Sequence, residues 1–188
     1  MIDRHEAVTR AYEIPGQTWP SELCWLFDHL TNSRSHAEIG VFCGRSLFTS
    51  CLAIPEGEVF AADLAAPQCF CPVPDAKWLL SVQEATAHAI REHNPGVTLE
   101  FLREGSLAAA LSLHSRGTVL DSVFIDGSHE YEHVMADIQA WRALVKPGGL
   151  ICGHDYWPPD PGVMRAVNEV FGQEFEVVTN TRLWWAIT

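Results

Sequence analysis

Positive charge is scarce in this chain. Lys and Arg number 12 against 24 Asp and Glu, a formal net charge of −12 over 188 residues. Proteins that bind nucleic acid neutralise phosphates with lysine and arginine. No basic stripe is present, so nucleic acid is not an expected partner. Strongly anionic substrates such as CoA esters are disfavoured on the same ground. The sequence also lacks an apolar run of the roughly 18 residues that a membrane span needs. Its opening, MIDRHEAVTR, has no apolar leader. A cytoplasmic protein with no membrane partner is therefore expected. Among Cys24, Cys43, Cys51, Cys69, Cys71 and Cys152 there is no CxxC pair, which argues against a structural zinc site. Cys43, Cys51 and Cys152 lie in apolar runs and read as buried thiols. Cys69 and Cys71 are close enough for a redox pair, although a plain loop suits them better. The GxGxxG fingerprint of dinucleotide binding is missing as well.

What the sequence does contain is alternation. Short apolar runs at 37–42, 59–63, 97–102, 122–126 and 150–152 are bounded by Gly, Pro or Asp, as buried parallel strands are. Between them, Val134, Ile138, Trp141 and Val145 recur at helical spacing. So do Val163, Val167, Val170 and Phe171, and so do Leu79, Val82, Ala85, Ala89 and Ile90. Pro20 and Ser21 open a helix reaching about Leu30, with some 20 residues before it. Lys146–Pro147–Gly148–Gly149 closes one helix and turns into the next strand. The expected fold is α/β: a Rossmann-like, doubly wound sheet of about seven strands in one domain over 1–188, with 1–35 as N-terminal segment and first helix. Segments 175–178 and 183–187 read as a final hairpin, so the last strand runs antiparallel. In that strand Trp184 and Trp185 point to opposite faces. The proline-rich stretch 64–76 is long for a connection and suits either an active-site loop or a surface excursion.

The most informative stretch is Glu38–Ile39–Gly40–Val41–Phe42–Cys43–Gly44–Arg45–Ser46. It runs from strand to helix across two glycines four apart. Glycine permits a sharp turn and close approach of a ligand. The helix start that follows offers N–H groups to a carboxylate. Asp63 ends the second strand, where a carboxylate can accept from both hydroxyls of a ribose. Glu38 and Asp63 also have plainer uses, as a strand-end acid and a helix cap.

This ordered set resembles the first motifs of class I S-adenosylmethionine (SAM)-dependent methyltransferases. It is closest to the small O-methyltransferases of the catechol O-methyltransferase-like and family-24-like groups. The resemblance continues through Gly105–Ser106, Phe124–Ile125–Asp126–Gly127–Ser128–His129–Glu130–Tyr131–Glu132, Lys146–Pro147–Gly148–Gly149 and Gly153–His154–Asp155–Tyr156, and spans about Gly16 to Thr188. It implies SAM as cofactor, with Glu38, Gly40, Gly44, Ser46, Asp63, Ser106 and Asp126 around it. Ser106 would equally suit an N-cap of the helix that follows. Gly16–Gln17 resembles a segment that closes over the cofactor.

The resemblance also implies a divalent metal, Mg²⁺ or Mn²⁺, at Asp126, His154 and Asp155. His154 departs from the acid expected there. Imidazole suits other metals better than Mg²⁺, so either the metal differs or His154 is no ligand and the site works without one. His129 stands where related enzymes place a catalytic lysine, and its ordinary pKa suits a base near neutrality. His154 is the second candidate for that role. His5, His29, His36, His88, His93, His114 and His133 read as surface residues. Trp25 and Trp141 read as core; Trp19 and Trp157 are nearer the cleft.

The expected function is methyl transfer to a small hydroxylated acceptor such as a sugar, polyketide or phenol, with a homodimer as one way to complete the pocket. A SAM-binding regulatory protein and a metal-using hydroxylase-like or lyase-like relative are the alternatives.

Overall fold

The computed structural model describes residues 2–66 and 74–188. Cys69 and Cys71, and most of the proline-rich stretch, lie outside the described residues. The elements follow in the order α1 (Arg4–Glu13), α2 (Pro20–Leu30), β1 (Ser35–Ile39), α3 (Arg45–Ala53), β2 (Gly57–Ala62), α4 (Ala76–His93), β3 (Val97–Leu102), α5 (Ser106–Ser115), β4 (Leu120–Ile125), α6 (Tyr131–Arg142), β5 (Val145–Gly153), α7 (Pro161–Phe171), β6 (Glu176–Val177) and β7 (Trp184–Ile187).

They build one seven-stranded sheet in the order β3-β2-β1-β4-β5-β7-β6. The strands from β3 to β5 pair in parallel, and β7 runs antiparallel to both its neighbours. The expected doubly wound fold and reversed final strand are therefore present. The chain reverses its winding between β1 and β4, which places the loops after these two strands side by side. In open α/β sheets this crevice is where ligands bind.

Apolar side chains fill both faces of the sheet. One layer joins Ile39, Val123, Ile151 and Trp184 to Trp141, Val163 and Phe171. The other joins Val59, Phe124 and Cys152 to Leu23, Leu26, Leu47 and Ile54. Trp184 belongs to the first layer and Trp185 packs on the second, as strand alternation requires. Cys43, Cys51 and Cys152 are fully buried. Ion pairs such as Arg4–Asp28 and Arg34–Glu56 are exposed. Such pairs contribute roughly 0–1 kcal/mol each, so the layers hold the fold.

Five expectations need correction. The segment before Pro20 is not a simple tail: α1 is capped by Asp3, whose side chain accepts from Glu6 N, and it buries Ala7, Val8 and Ala11. Val145 belongs to β5, not to the preceding helix. Lys146–Pro147–Gly148–Gly149 lies within β5, beside a register shift between Leu120 and Ser122. The inner face of α4 is Leu79, Gln83, Thr86, Ala87 and Ile90, with Ala85 exposed. Finally, His36 is fully buried on β1, with Nδ1 2.8 Å from Ser122 Oγ. Burial without a counter-charge lowers its pKa to about 4.

Candidate active site

The glycine turn after β1 is shaped by three left-handed residues: Gly40 at φ 81°, Phe42 at φ 50° and Gly44 at φ 90°. At Gly40 a Cβ would lie 2.0 Å from the Asp126 carbonyl oxygen, so no larger residue fits between the β1 and β4 turns. At Gly44 it would meet Thr86 Cγ2 at 2.9 Å. Phe42 gains nothing from its own conformation, and a bulky residue there costs roughly 1–2 kcal/mol. Neighbours impose it. Asp63 Oδ2 accepts from Val41 N at 2.7 Å and Phe42 N at 3.0 Å. Gln83 Nε2 donates to Phe42 O at 2.6 Å, and Thr86 Oγ1 donates to Cys43 O at 2.9 Å. Gln83 and Thr86 are functional supports that periodicity could not reveal, since both are polar residues on the inner face of a helix.

Beneath the turn, Glu38 is fully buried and accepts from Ser46 Oγ at 2.8 Å. Burial pushes its pKa up to about 8, against the pull of the Ser46 bond. Ser46 also lines the cavity above the turn, at the start of α3, which has no side-chain cap. Arg45 points back: Nε donates to Ile14 O at 2.7 Å and Nη1 to Thr18 O at 3.1 Å. Residues 14–18 are thereby strapped over the turn, and Pro15, Gly16, Gln17 and Thr18 line the same cavity.

Two cavities meet at Gly40, Gly127 and Ser128. The smaller, about 550 Å³, is bounded by Asp63, Glu104, Gly105, Ser106 and Leu107. Ser106 is not the cap of α5, a place Gly105 takes. Its hydroxyl donates to Asp137 Oδ1 at 2.5 Å and accepts from Trp141 Nε1 at 2.8 Å, tying α5 to α6 at the cavity wall. The larger cavity, about 950 Å³, runs past Ser46 to Asp126, His129, His154, Asp155 and Asp160. A ligand lying across the Gly40 turn would have one half in each.

The far end of the larger cavity is a cluster of charge. His129 Nε2 lies 2.9 Å from Asp155 Oδ2, and Nδ1 lies 3.0 Å from Asp160 Oδ1. The Asp155 contact, opposed by burial, raises the His129 pKa to about 9. His154 is buried, with Nδ1 3.2 Å from Asp155 Oδ1 and 3.7 Å from Asp126 Oδ1. Burial works against its charged form, but Asp126, Asp155 and Glu22 outweigh it and raise the pKa to about 11. Asp126 is pushed up to about 7 by burial, against His154. Burial also opposes ionisation of Asp155, yet the two histidines hold it well below the usual carboxylate range. Asp155 adopts φ 58°, a left-handed value for a non-glycine residue that places it between both rings.

These residues fit a divalent cation. Asp126, His154 and Asp155 present one ligand atom each within 4.8 Å of one another, and His129, Asp155 and Asp160 form a second such group. Carboxylates converge there on His129 and His154, and a cation among them would take over the charge compensation that the protonated rings give. Arg182, a residue of the final turn, completes the surroundings. Its guanidinium lies 3.6 Å from the Trp157 ring centre and 5.2 Å from that of Trp19, with Nη1 3.5 Å from Asp155 Oδ1. Trp19 and Trp157 thus clasp an arginine. Glu22, buried behind His154, is a further residue that the sequence pattern did not single out.

A doubly wound sheet with a glycine turn after its first strand, an acid after its second and a charged cleft at the switch point defines a Rossmann-like, small-molecule-binding domain. A methyltransferase-domain family model matches residues 37–156, well over half of the chain. The chain belongs to that methyltransferase family. The expected class and fold are therefore borne out. Solved structures agree on the fold. An O-methyltransferase from Bacillus cereus in complex with SAH superposes with a TM-score of 0.69 at 15% identity, covering 100% of this chain and 93% of that one. The calicheamicin methyltransferase CalS11 gives 0.64 at 16% identity, covering 98% and 80%. MycE, from the mycinamycin biosynthetic pathway and in complex with Mg and SAH, gives 0.62 at 18%, covering 98% of this chain and 54% of that one. Compared by sequence with the curated proteins, the chain matches none. Among the described residues no helix is long and apolar enough to cross a membrane.

Proposed function

We propose that the chain, acting as one domain over 1–188, transfers the methyl group of SAM to a hydroxyl of a small, uncharged molecule in the cytoplasm. The observation that carries this reading is the pair of cavities joined over Gly40, with Asp63 beside one and the acid and histidine cluster in the other. Asp63 and the Ser106 wall suit an adenosyl group. The uncapped start of α3, with Ser46, suits the methionine carboxylate. The bound MycE and Bacillus cereus neighbours accord with such a ligand.

Methyl transfer forms an O–CH₃ bond as the S–CH₃ bond breaks, and the acceptor hydroxyl gives up its proton. His129 lines the acceptor cavity, with Asp155 and Asp160 holding its ring. Its pKa of about 9, and not the near-neutral value expected, means that it is assigned as the proton acceptor only in the form that has first lost its own proton. Both nitrogens meet carboxylates, so an arriving acceptor must displace one of these contacts. His154 faces carboxylates on both sides and is assigned to the cation-holding group with Asp126 and Asp155. A divalent cation there would supply Lewis acidity to the acceptor oxygen. Glu130, Glu132 and Asp160 also line this cavity, which disfavours anionic acceptors.

Calorimetric titration of SAM into the wild-type protein and into Asp63→Ala tests the reading. Binding to the wild type that the substitution weakens at least tenfold is expected. No binding to the wild type would overturn it.

A further inference from the structure

Glu22 sits in α2, in none of the motifs of the methyltransferase pattern, yet it has no exposed surface. A buried carboxylate is costly unless polar partners surround it. Here Oε2 accepts from Trp19 N at 2.7 Å and Oε1 accepts from Arg182 N at 2.9 Å. Two main-chain amides from separate parts of the fold thus fix the group. The third neighbour is His154, whose Nε2 lies 3.1 Å from Glu22 Oε2. That approach is close without being aligned as a hydrogen bond, so the contact is electrostatic.

The ring therefore has carboxylates on both sides: Glu22 at Nε2, and Asp155 and Asp126 at Nδ1. A lone pair at Nε2 would face the Glu22 charge, so that nitrogen keeps its hydrogen. Nδ1 then faces two acids, where either a proton or a bound cation removes the repulsion, and a cation held by Asp126 and Asp155 would take the place of that proton. A carboxylate behind a histidine biases the tautomer of a metal ligand and raises its basicity; here Glu22 acts on the ring through its charge at 3.1 Å. The negative charge that an acid at position 154 would bring directly is instead supplied by Glu22, one ring further back.

We infer that Glu22 and His154 work as one unit, in which Glu22 positions the ring and His154 gives the cation site a nitrogen donor, so that the site prefers Mn²⁺, Fe²⁺ or Zn²⁺ to Mg²⁺. This rests on the reading of Asp126, His154 and Asp155 as cation ligands. Mg²⁺ favours oxygen donors and near-ideal octahedral geometry, whereas imidazole suits the later metals. Glu22 is a positioning residue and touches no reacting atom.

The test is titration of Mn²⁺ and of Mg²⁺, separately, into the full-length wild type, Glu22→Gln and His154→Asp. Bound Mn²⁺ is followed by electron paramagnetic resonance and pulsed detection of ¹⁴N coupling. The wild type should bind Mn²⁺ at least tenfold more tightly than Mg²⁺ and show ¹⁴N coupling. Glu22→Gln should weaken Mn²⁺ by about 10–100-fold, and His154→Asp should abolish the coupling and the preference over Mg²⁺. Mn²⁺ bound without ¹⁴N coupling, or bound equally well by Glu22→Gln, overturns the inference. Should Glu22→Gln not fold, the wild-type coupling and metal ratio still decide. SAM is titrated into the same wild-type sample. SAM binding without metal binding, the ring then holding a proton at Nδ1, removes this inference and leaves the methyltransferase reading. Nitrogen-coupled metal binding without SAM binding does the reverse.

Discussion

Glu38 and Ser46 are joined by a hydrogen bond of 2.8 Å from Ser46 Oγ to the buried carboxyl of Glu38. The bond links the end of β1 to the first turn of α3, directly under the glycine turn. Its acceptor is an acid that burial holds mostly neutral, with a pKa of about 8. The group that stands first in the recognisable motif therefore braces the turn from below, and its charge state matters to folding.

The sign of that effect follows from linkage. The folded pKa lies above the unfolded one, so the folded state retains the proton longer. The contribution is fully present below the unfolded value of about 4.3 and is lost as pH rises toward 8. Glu38→Gln, which cannot ionise, should therefore unfold at a similar temperature to the wild type near pH 5 and at a higher one near pH 8.5. Thermal midpoints across this range check it. Parallel curves for the two proteins would show that Glu38 is ionised in the fold.

His36 should act in the opposite direction. Its folded pKa of about 4 lies below the unfolded value, so the unfolded chain takes up the proton first. Stability is complete above about pH 6.5 and falls as pH drops toward 4. His36→Gln removes this dependence, and its unfolding free energy relative to wild type should improve steadily between pH 6.5 and 4. Denaturant unfolding at half-unit intervals measures the difference. A constant difference across the window would sink the idea.

How far these features could be read in advance depends on whether the cause was local. The glycine turn, Asp63 and the parallel strands were legible because turn chemistry and apolar runs are written in consecutive residues. The short capping signal of Asp3 and Glu6 at the start of α1 is hard to read in the sequence because the helix's buried face is built mostly of alanine, which carries little hydrophobic contrast. Val145 continued a helical spacing and still joined β5, since pairing with Leu120 outweighed it. Glu22, Gln83, Thr86 and Arg182 were illegible for another reason. Each earns its place from a partner distant in sequence: Glu22 from Arg182 and His154, Gln83 from Phe42, Thr86 from Cys43. His36 likewise owes its burial to Ser122, 86 residues away.

Arg45 offers a test of the strap. Its side chain donates to Ile14 O and Thr18 O and lies 4.6 Å from the Tyr12 ring centre. Arg45→Met keeps the stem and removes the donors, at a cost of roughly 1–3 kcal/mol. Residues 14–18 should then be cut faster by a nonspecific protease. SAM should dissociate several-fold faster, with a smaller change in its association rate. Stopped-flow binding separates the two rates. An unchanged dissociation rate would mean that the strap does not restrain the cofactor.

His129 is the most direct probe of the chemistry. Removing a positioned proton acceptor costs typically 10²–10⁴ in rate, while the adenosyl half of the cofactor site, beside Asp63, does not include this ring. His129→Ala should lower kcat by that order once an acceptor is in hand, and leave the calorimetric affinity for SAM within about twofold. Asp160→Asn should have a smaller effect, because Asp155 still holds Nε2 while the Asp160 contact at Nδ1 is weakened. The contrast is informative in itself. Were His129→Ala to keep nearly full kcat, the proton would leave by another route, and the ring would serve only to hold Asp155 and Asp160 apart. Were both substitutions to cost equally, Asp160 would have to be essential to the ring's orientation, and His129 and Asp160 would count as one catalytic unit.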